Sequence, residues 1–226
     1  MTPLVRILLG VALMPFGFAS ASHAQDANSA FVVTYIEVAP AAKRTAVDLL
    51  RELGIASRKD PNSLRFEVVQ RIDRPNHFAV LELWKDQKAQ EIHAAATKQF
   101  REKMQPLLSA PYDERPHGAL AVGPGGNVAK NAIYAVTHVD IIPPKKDDGI
   151  AMTKQLADPS RKESGNFRYD VLQQTSRPNH MTLVEVWSGQ KALEGHETSA
   201  HIKKYRDALL PMSGSLYDQR LYKALR

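Results

Sequence analysis

Residues 31–38 place Phe31, Val33, Tyr35 and Glu37 on one side and Val32, Thr34, Ile36 and Val38 on the other, the two-residue period of a strand. Pro40 ends the run, and Val47, Leu50, Leu53 and Gly54 then recur at helical spacing over 43–57. Asp60-Pro61-Asn62 predicts a turn, Arg65 to Arg71 a second strand, and Phe78 to Trp84 a third after the tight turn Asp73-Arg74-Pro75-Asn76. A long helix is predicted over 87–108 from the stripe Ala89, Ile92, Ala96, Phe100, Met104 and Leu107. A last strand is predicted over 115–122, although Pro116 and Gly118 are unusual strand residues.

The same order then repeats. Arg177-Pro178-Asn179-His180, Trp187, Gln190 and His196 each stand 103 positions after Arg74-Pro75-Asn76-His77, Trp84, Gln87 and His93, and beyond the helical histidine the offset becomes 105. The chain is a tandem duplication with two extra residues in the second helix of copy two. Strands are predicted at 133–142, 167–174, 180–187 and 221–225, and helices at 148–157, cut short by Asp158-Pro159, and at 190–212. The order βαββαβ, twice, predicts an α+β chain of two ferredoxin-like domains, each an antiparallel sheet with both helices on one face. The domains span 27–122 and 131–226, joined by a Gly/Pro-rich linker at 123–130. The free sheet faces carry too many apolar residues to stay wet, so the two sheets are expected to face each other and enclose a cavity within one chain. The two domains would thus be each other's partner, and further homo-oligomerisation through barrel edges stays open.

Residues 1–24 have a different character. Arg6, an apolar run from Ile7 to Phe18 and the small-x-small Ser22-His23-Ala24 predict an export signal cleaved after Ala24, and hence a periplasmic or secreted protein. A retained anchor is the alternative; no later run is long enough to span a membrane. Net charge is +6, and loss of Arg6 leaves +5. Acids and bases are interspersed, with no basic block interleaved with aromatics, so nucleic acid is not an expected partner. With no cysteine in the chain, disulfides, thiolate nucleophiles and cysteine metal sites are excluded.

Candidate chemistry centres on two repeated groups. Alternation puts Glu82 and Trp84 on one strand face, and Glu185 and Trp187 on its equivalent. They either line a ligand pocket, or each Glu pairs with an arginine such as Arg65 or Arg168 while Trp serves the core. His93 and His196 lie on helical faces, where imidazole suits proton abstraction from a phenol or an acidic carbon. His138 and Asp140, and Tyr35 and Glu37 in copy one, could face the inter-sheet cavity. His201 lies five residues after His196, about 140° around a continuous helix, and HExxH is absent, so no metal site is expected. Nucleotide-binding and serine-hydrolase motifs are also missing.

Ser164-Gly165-Asn166-Phe167-Arg168-Tyr169-Asp170-Val171, Arg177 to His180, Val184-Glu185-Val186-Trp187 and His196 to His201 resemble the antibiotic biosynthesis monooxygenase family of the dimeric α/β barrel superfamily. Copy one resembles it over Leu64 to Val68, Arg74 to His77, Leu81 to Trp84 and His93. The resemblance implies an intrachain dimeric α/β barrel. It also implies a monooxygenase oxidising a quinol-like or phenolic small molecule with dioxygen as co-substrate and no other cofactor. Within it, His196 or His93 would be the base, Trp187 and Trp84 pocket walls, Arg168 or Tyr169 orienting groups, and Glu185, His138 and His201 further substrate contacts. Copy two keeps more of the family-like polar groups, so a single active site is expected there. The family's haem-degrading branch has an asparagine on strand one and a tryptophan on the second helix; Thr34, Thr137 and the helical histidines stand at those approximate places. A non-catalytic or haem-related binding module is therefore the alternative reading.

Overall fold

The computed structural model describes residues 28–225; the expected signal and its cleavage point lie outside them. Copy one runs β1 (Ala30–Glu37), α1 (Lys43–Ser57), β2 (Ser63–Arg71), β3 (His77–Trp84), α2 (Gln87–Ala96), α3 (Lys98–Met104) and β4 (Asp113–Ala121). Copy two runs β5 (Ile133–Asp140), α4 (Lys146–Gln155), α5 (Ala157–Arg161), β6 (Asn166–Gln174), β7 (His180–Trp187), α6 (Gln190–Glu197), α7 (Ala200–Leu209) and β8 (Asp218–Ala224). Residues 122–129 between the copies carry no helix or strand.

The eight strands close into one antiparallel barrel in the order β1-β3-β2-β8-β5-β7-β6-β4. Two seams join the copies, β2 to β8 through Val69–Ala224, and β4 to β6 through His117–Gln174. Closure pairs the edge strands, whose free N–H and C=O groups would otherwise invite pairing with other chains. It also explains Pro116 and Gly118: the first half of β4 pairs with β1 and the second with β6, so the strand is passing from one neighbour to the other.

The copies do face each other, and among the described residues side chains occupy the space between them. Phe31, Val33, Tyr35, Leu81, Tyr134, Leu172, Val184 and Tyr222 fill the lumen, as expected for a barrel whose eight strands leave room for little more than side chains. The residual space beside Arg65, Arg168 and Leu172 is about 10 Å³. The opposite sheet faces meet the helices, forming one core around Trp84, Leu50 and Met104 and another around Trp187, Leu193 and Ile202.

Three predicted helices differ from expectation. The second helix of each copy is broken, at Thr97 and at Thr198-Ser199. Each threonine hydroxyl donates back to a carbonyl four residues earlier, Thr97 to His93 and Thr198 to Glu194, and Ser199 accepts from the Ile202 amide as a new N-cap. Asp158-Pro159 does not end the first helix of copy two. Pro159 sits in the first turn of α5, where no intrahelical donor is required of it.

Candidate functional site

The Glu-x-Trp pairs occupy the helix-facing side of the sheets, beneath the second helices. Trp84 Nε1 donates to Glu82 Oε2 at 2.8 Å, and Trp187 Nε1 donates to Glu185 Oε2 at 3.0 Å. Neither glutamate pairs with Arg65 or Arg168. Both lie under apolar helices, and burial raises Glu82 to about 7 and Glu185 to about 8. Each helical histidine covers its tryptophan, with ring centroids 4.3 Å apart for Trp84–His93 and 4.5 Å for Trp187–His196. Burial lowers both histidines below the ordinary range, so the neutral imidazole is favoured at neutral pH.

The copies differ in what surrounds this shared arrangement. In copy one, a cavity of about 30 Å³ is lined by Thr34, Phe66, Glu82, His93, Phe100 and Arg101 among others. In copy two, Tyr169 and Tyr205 replace Phe66 and Phe100. Their added hydroxyls lie in the field of Glu185, which helps raise both phenols, after burial as the larger cause. Tyr205 Oη also meets Thr153 Oγ1 at 3.0 Å. Copy two thus places two hydroxyls near Glu185 where copy one carries plain phenyl rings.

Copy two adds a second polar layer that the sequence reading missed. His196 Nδ1 lies 2.7 Å from Glu163 Oε1, and His201 Nε2 lies 2.8 Å from the same oxygen. A continuous helix would hold the two histidines about 140° apart; the break at Thr198-Ser199 re-aims His201. The signal was Ser199, a residue suited to capping, in the region that holds the two extra residues.

Three expected site residues are elsewhere. Arg168 emerges on the opposite face of β6 from Tyr169 and points to the interface between copies. It donates to Glu67 Oε2 at 2.7 Å, while Arg65 donates to Asp170 Oδ2 at 2.9 Å. His138 is in the lumen, hydrogen-bonded to Tyr35 Oη at 2.7 Å, and burial with Arg115 and Arg220 nearby lowers it to about 3. Asp140 accepts from Asn179 at 3.1 Å and lies 3.2 Å from His180 Nε2, which engages it at the end of the strand. Trp84 and Trp187 are fully buried, so each touches its histidine as a wall with no free face.

The family model described as antibiotic biosynthesis monooxygenase matches residues 29–103 and 132–208, one match per copy. The chain belongs to the antibiotic biosynthesis monooxygenase family. Its relatives include YcnE of Bacillus subtilis (strain 168), named a monooxygenase by inference and 25% identical over 73 residues, covering 32% of this chain and 77% of YcnE. A Fusobacterium nucleatum structure, also named a monooxygenase by inference, superposes with a TM-score of 0.80 at 14% identity, over 88% of this chain and 94% of that one. An anthrone oxidase-like protein superposes with a TM-score of 0.67 at 11% identity, over 89% and 93%. At such identities the two structures speak for the fold. The match over both copies supports a monooxygenase-like function for this member of the family.

Proposed function

We propose that the chain oxidises a phenolic or quinol-like aromatic molecule with dioxygen and no other cofactor, using the cavity of copy one with His93 as base. The observation that carries this reading is the joining of a neutral-favoured histidine, a protonatable glutamate and open space in one buried place. At about 30 Å³ the cavity has the volume of one small molecule such as water. Its outer wall is Thr97, Phe100, Arg101 and Tyr112, all half-buried, and the aromatic substrate enters by displacing that wall.

His93 takes the phenolic or benzylic proton. The resulting anion passes one electron to dioxygen, and the two radicals join through a new C–O bond. Where the attacked carbon began as CH₂, the hydroperoxide loses water: one oxygen atom stays as the carbonyl, and the other leaves with the two original hydrogens. The Arg101 guanidinium and the protonated Glu82 supply charge and a hydrogen-bond donor for the oxyanions. The export signal would place this reaction outside the cytoplasm, and a secreted or periplasmic product beginning at Gln25 in intact-mass analysis tests that part.

The test is oxygen uptake by metal-stripped protein against hydroquinones, naphthoquinols and anthrones. Uptake that is lost in His93→Ala and kept in His196→Ala supports the assignment. Equal uptake in His93→Ala, or none from any of the three classes, overturns it.

A further inference from the structure

Glu163, His196 and His201 come from three separate places, the turn after α5, the last turn of α6 and the first turn of α7. One ligand atom from each lies within 4.8 Å of the others. Two imidazoles and one carboxylate on one side of a centre form a set that divalent zinc and iron take up, leaving positions for water or a small ligand. We infer that copy two carries a binding site for a divalent transition-metal ion, held by Glu163, His196 Nδ1 and His201 Nε2.

Three further features fit the assignment. The ring nitrogen of His196 that faces away from Glu163 lies 3.4 Å from Glu185 Oε2, and that oxygen already accepts from Trp187 Nε1. A ligating histidine whose other nitrogen faces a carboxyl oxygen has its tautomer and ring plane biased in advance. Glu163 is presented by a tight turn: its carbonyl accepts from the Asn166 amide at 3.2 Å, and Gly165 has φ of 84°, in the left-handed region that glycine occupies without strain. A side chain at Gly165 would also meet Ser188 Oγ at 2.5 Å. The site is open at its outer edge, since the Glu163 and His201 side chains keep 20% and 28% of their exposure. His201 also lines a cavity of about 230 Å³ with Met152, Leu156, Pro159 and Tyr205.

The fit requires a small adjustment. Ligand atoms around a tetrahedral zinc ion at about 2.0–2.1 Å stand roughly 3.3–3.4 Å apart, whereas Glu163 Oε1 now sits 2.7 and 2.8 Å from the two nitrogens. The partly exposed carboxylate swings outward by several tenths of an ångström to admit the ion. Copy one serves as an internal control. Asp60 and His93 stand at the places of Glu163 and His196, but neither Ala96 nor Lys98, the two residues that the offsets pair with His201, is a ligand of this kind.

The experiment titrates tag-free, metal-stripped full chain with zinc by calorimetry, and with cobalt(II) by its visible absorption. One ion per chain is expected, with affinity falling at least tenfold in Glu163→Gln and in His201→Ala and unchanged in His93→Ala. Circular dichroism and a melting curve establish that each variant is folded. His201→Phe, which keeps a ring beside Ser160, is the second variant should His201→Ala not fold. Absence of binding by the wild-type chain, or equal binding by folded Glu163→Gln and His201 variants, overturns the site. Because His93→Ala abolishes oxygen uptake under the proposed function and leaves metal binding intact, the two readings fail separately.

Discussion

Tyr35 and His138 occupy the same position in the two copies, and they meet at 2.7 Å between Oη and Nε2. Burial raises the phenol well above its usual range and lowers the imidazole to about 3, so the phenol donates and the neutral ring accepts. The Arg115 and Arg220 guanidinium carbons lie 5.2 and 5.0 Å from the centre of the Tyr35 ring. Tyr35→Phe removes only the hydroxyl and leaves His138 Nε2 with the longer Arg115 Nη1 contact at 3.4 Å, a change that costs about 1–2 kcal/mol. Urea denaturation of the variant beside the wild type measures it, and an unchanged midpoint would show the bond to be dispensable.

The same histidine makes the fold acid-sensitive. Its folded value of about 3 lies below the ordinary 6.5, so between those limits the unfolded chain binds the extra proton and stability falls as pH falls. Arg115, Arg220 and His117 oppose protonation of the ring, and Asp218 favours it. His138→Gln is expected to have a shallower loss of melting temperature from pH 6.5 to pH 4 than the wild type. Parallel curves would contradict the assignment.

Across the other end of the lumen, Arg168 answers Glu67 while Arg65 answers Asp170. Each bond crosses from one copy to the other. Arg168→Met removes the closest cation of Glu67, which keeps the Tyr134 hydroxyl at 2.9 Å and Arg65 at 4.0 Å; it is expected to cost about 3–5 kcal/mol, whereas Arg168→Met with Glu67→Leu recovers much of that loss. A double-mutant cycle read by urea unfolding gives the coupling; strict additivity would mean that the pair acts independently.

Oxygen uptake should depend on pH through two groups in copy one. His93 must be neutral to act as base, and burial lowers it, so activity rises with pH through a midpoint below the ordinary 6.5. Glu82 must keep its proton to donate, so activity declines through about 7. Glu82→Gln, which retains an acceptor for Trp84 Nε1 and a donor for the oxyanion, is expected to lose the alkaline limb only. A wild-type profile flat from pH 5 to pH 9 would argue against both roles.

Phe100→Tyr imports the copy-two residue into copy one. The added hydroxyl takes up space in a cavity of about 30 Å³, so uptake is expected to fall tenfold or more with the melting temperature little changed. Undiminished uptake would place the substrate elsewhere.

Much of this architecture was legible in the sequence because its signals are local. The RPNH turn repeats for a reason: Asn76 Nδ2 donates to the Val38 carbonyl and Asn179 Nδ2 to the Ile141 carbonyl, both at 2.8 Å, fixing the turn against the end of the first strand in each copy. Glu-x-Trp reads as one unit because residues two apart on a strand share a face, and the indole bonds its own glutamate. Other features depend on partners distant in sequence. The sequence suggested a cavity-facing His138 and an orienting role for Arg168, but the closure of β2 on β8 and β4 on β6 decided that both meet partners across the copies. Hydrophobic spacing ran through Thr97 and Thr198 unbroken, since a hydroxyl that ends a helix leaves the apolar stripe intact. The added polarity of copy two was written as Tyr169 for Phe66 and Tyr205 for Phe100, but its place depends on a fold that brings both hydroxyls near Glu185.

The two seams of the barrel carry a consequence for how this molecule behaves and changes. In an assembly of separate identical chains, dilution pulls the halves apart, and every substitution is made twice. Here both seams lie within one chain, so barrel closure is unimolecular and independent of protein concentration. A mutation alters one half only, leaving its counterpart to preserve what the first has given up. That freedom is already visible in Phe100 lining a small cavity in copy one while its counterpart Tyr205 in copy two bonds Thr153.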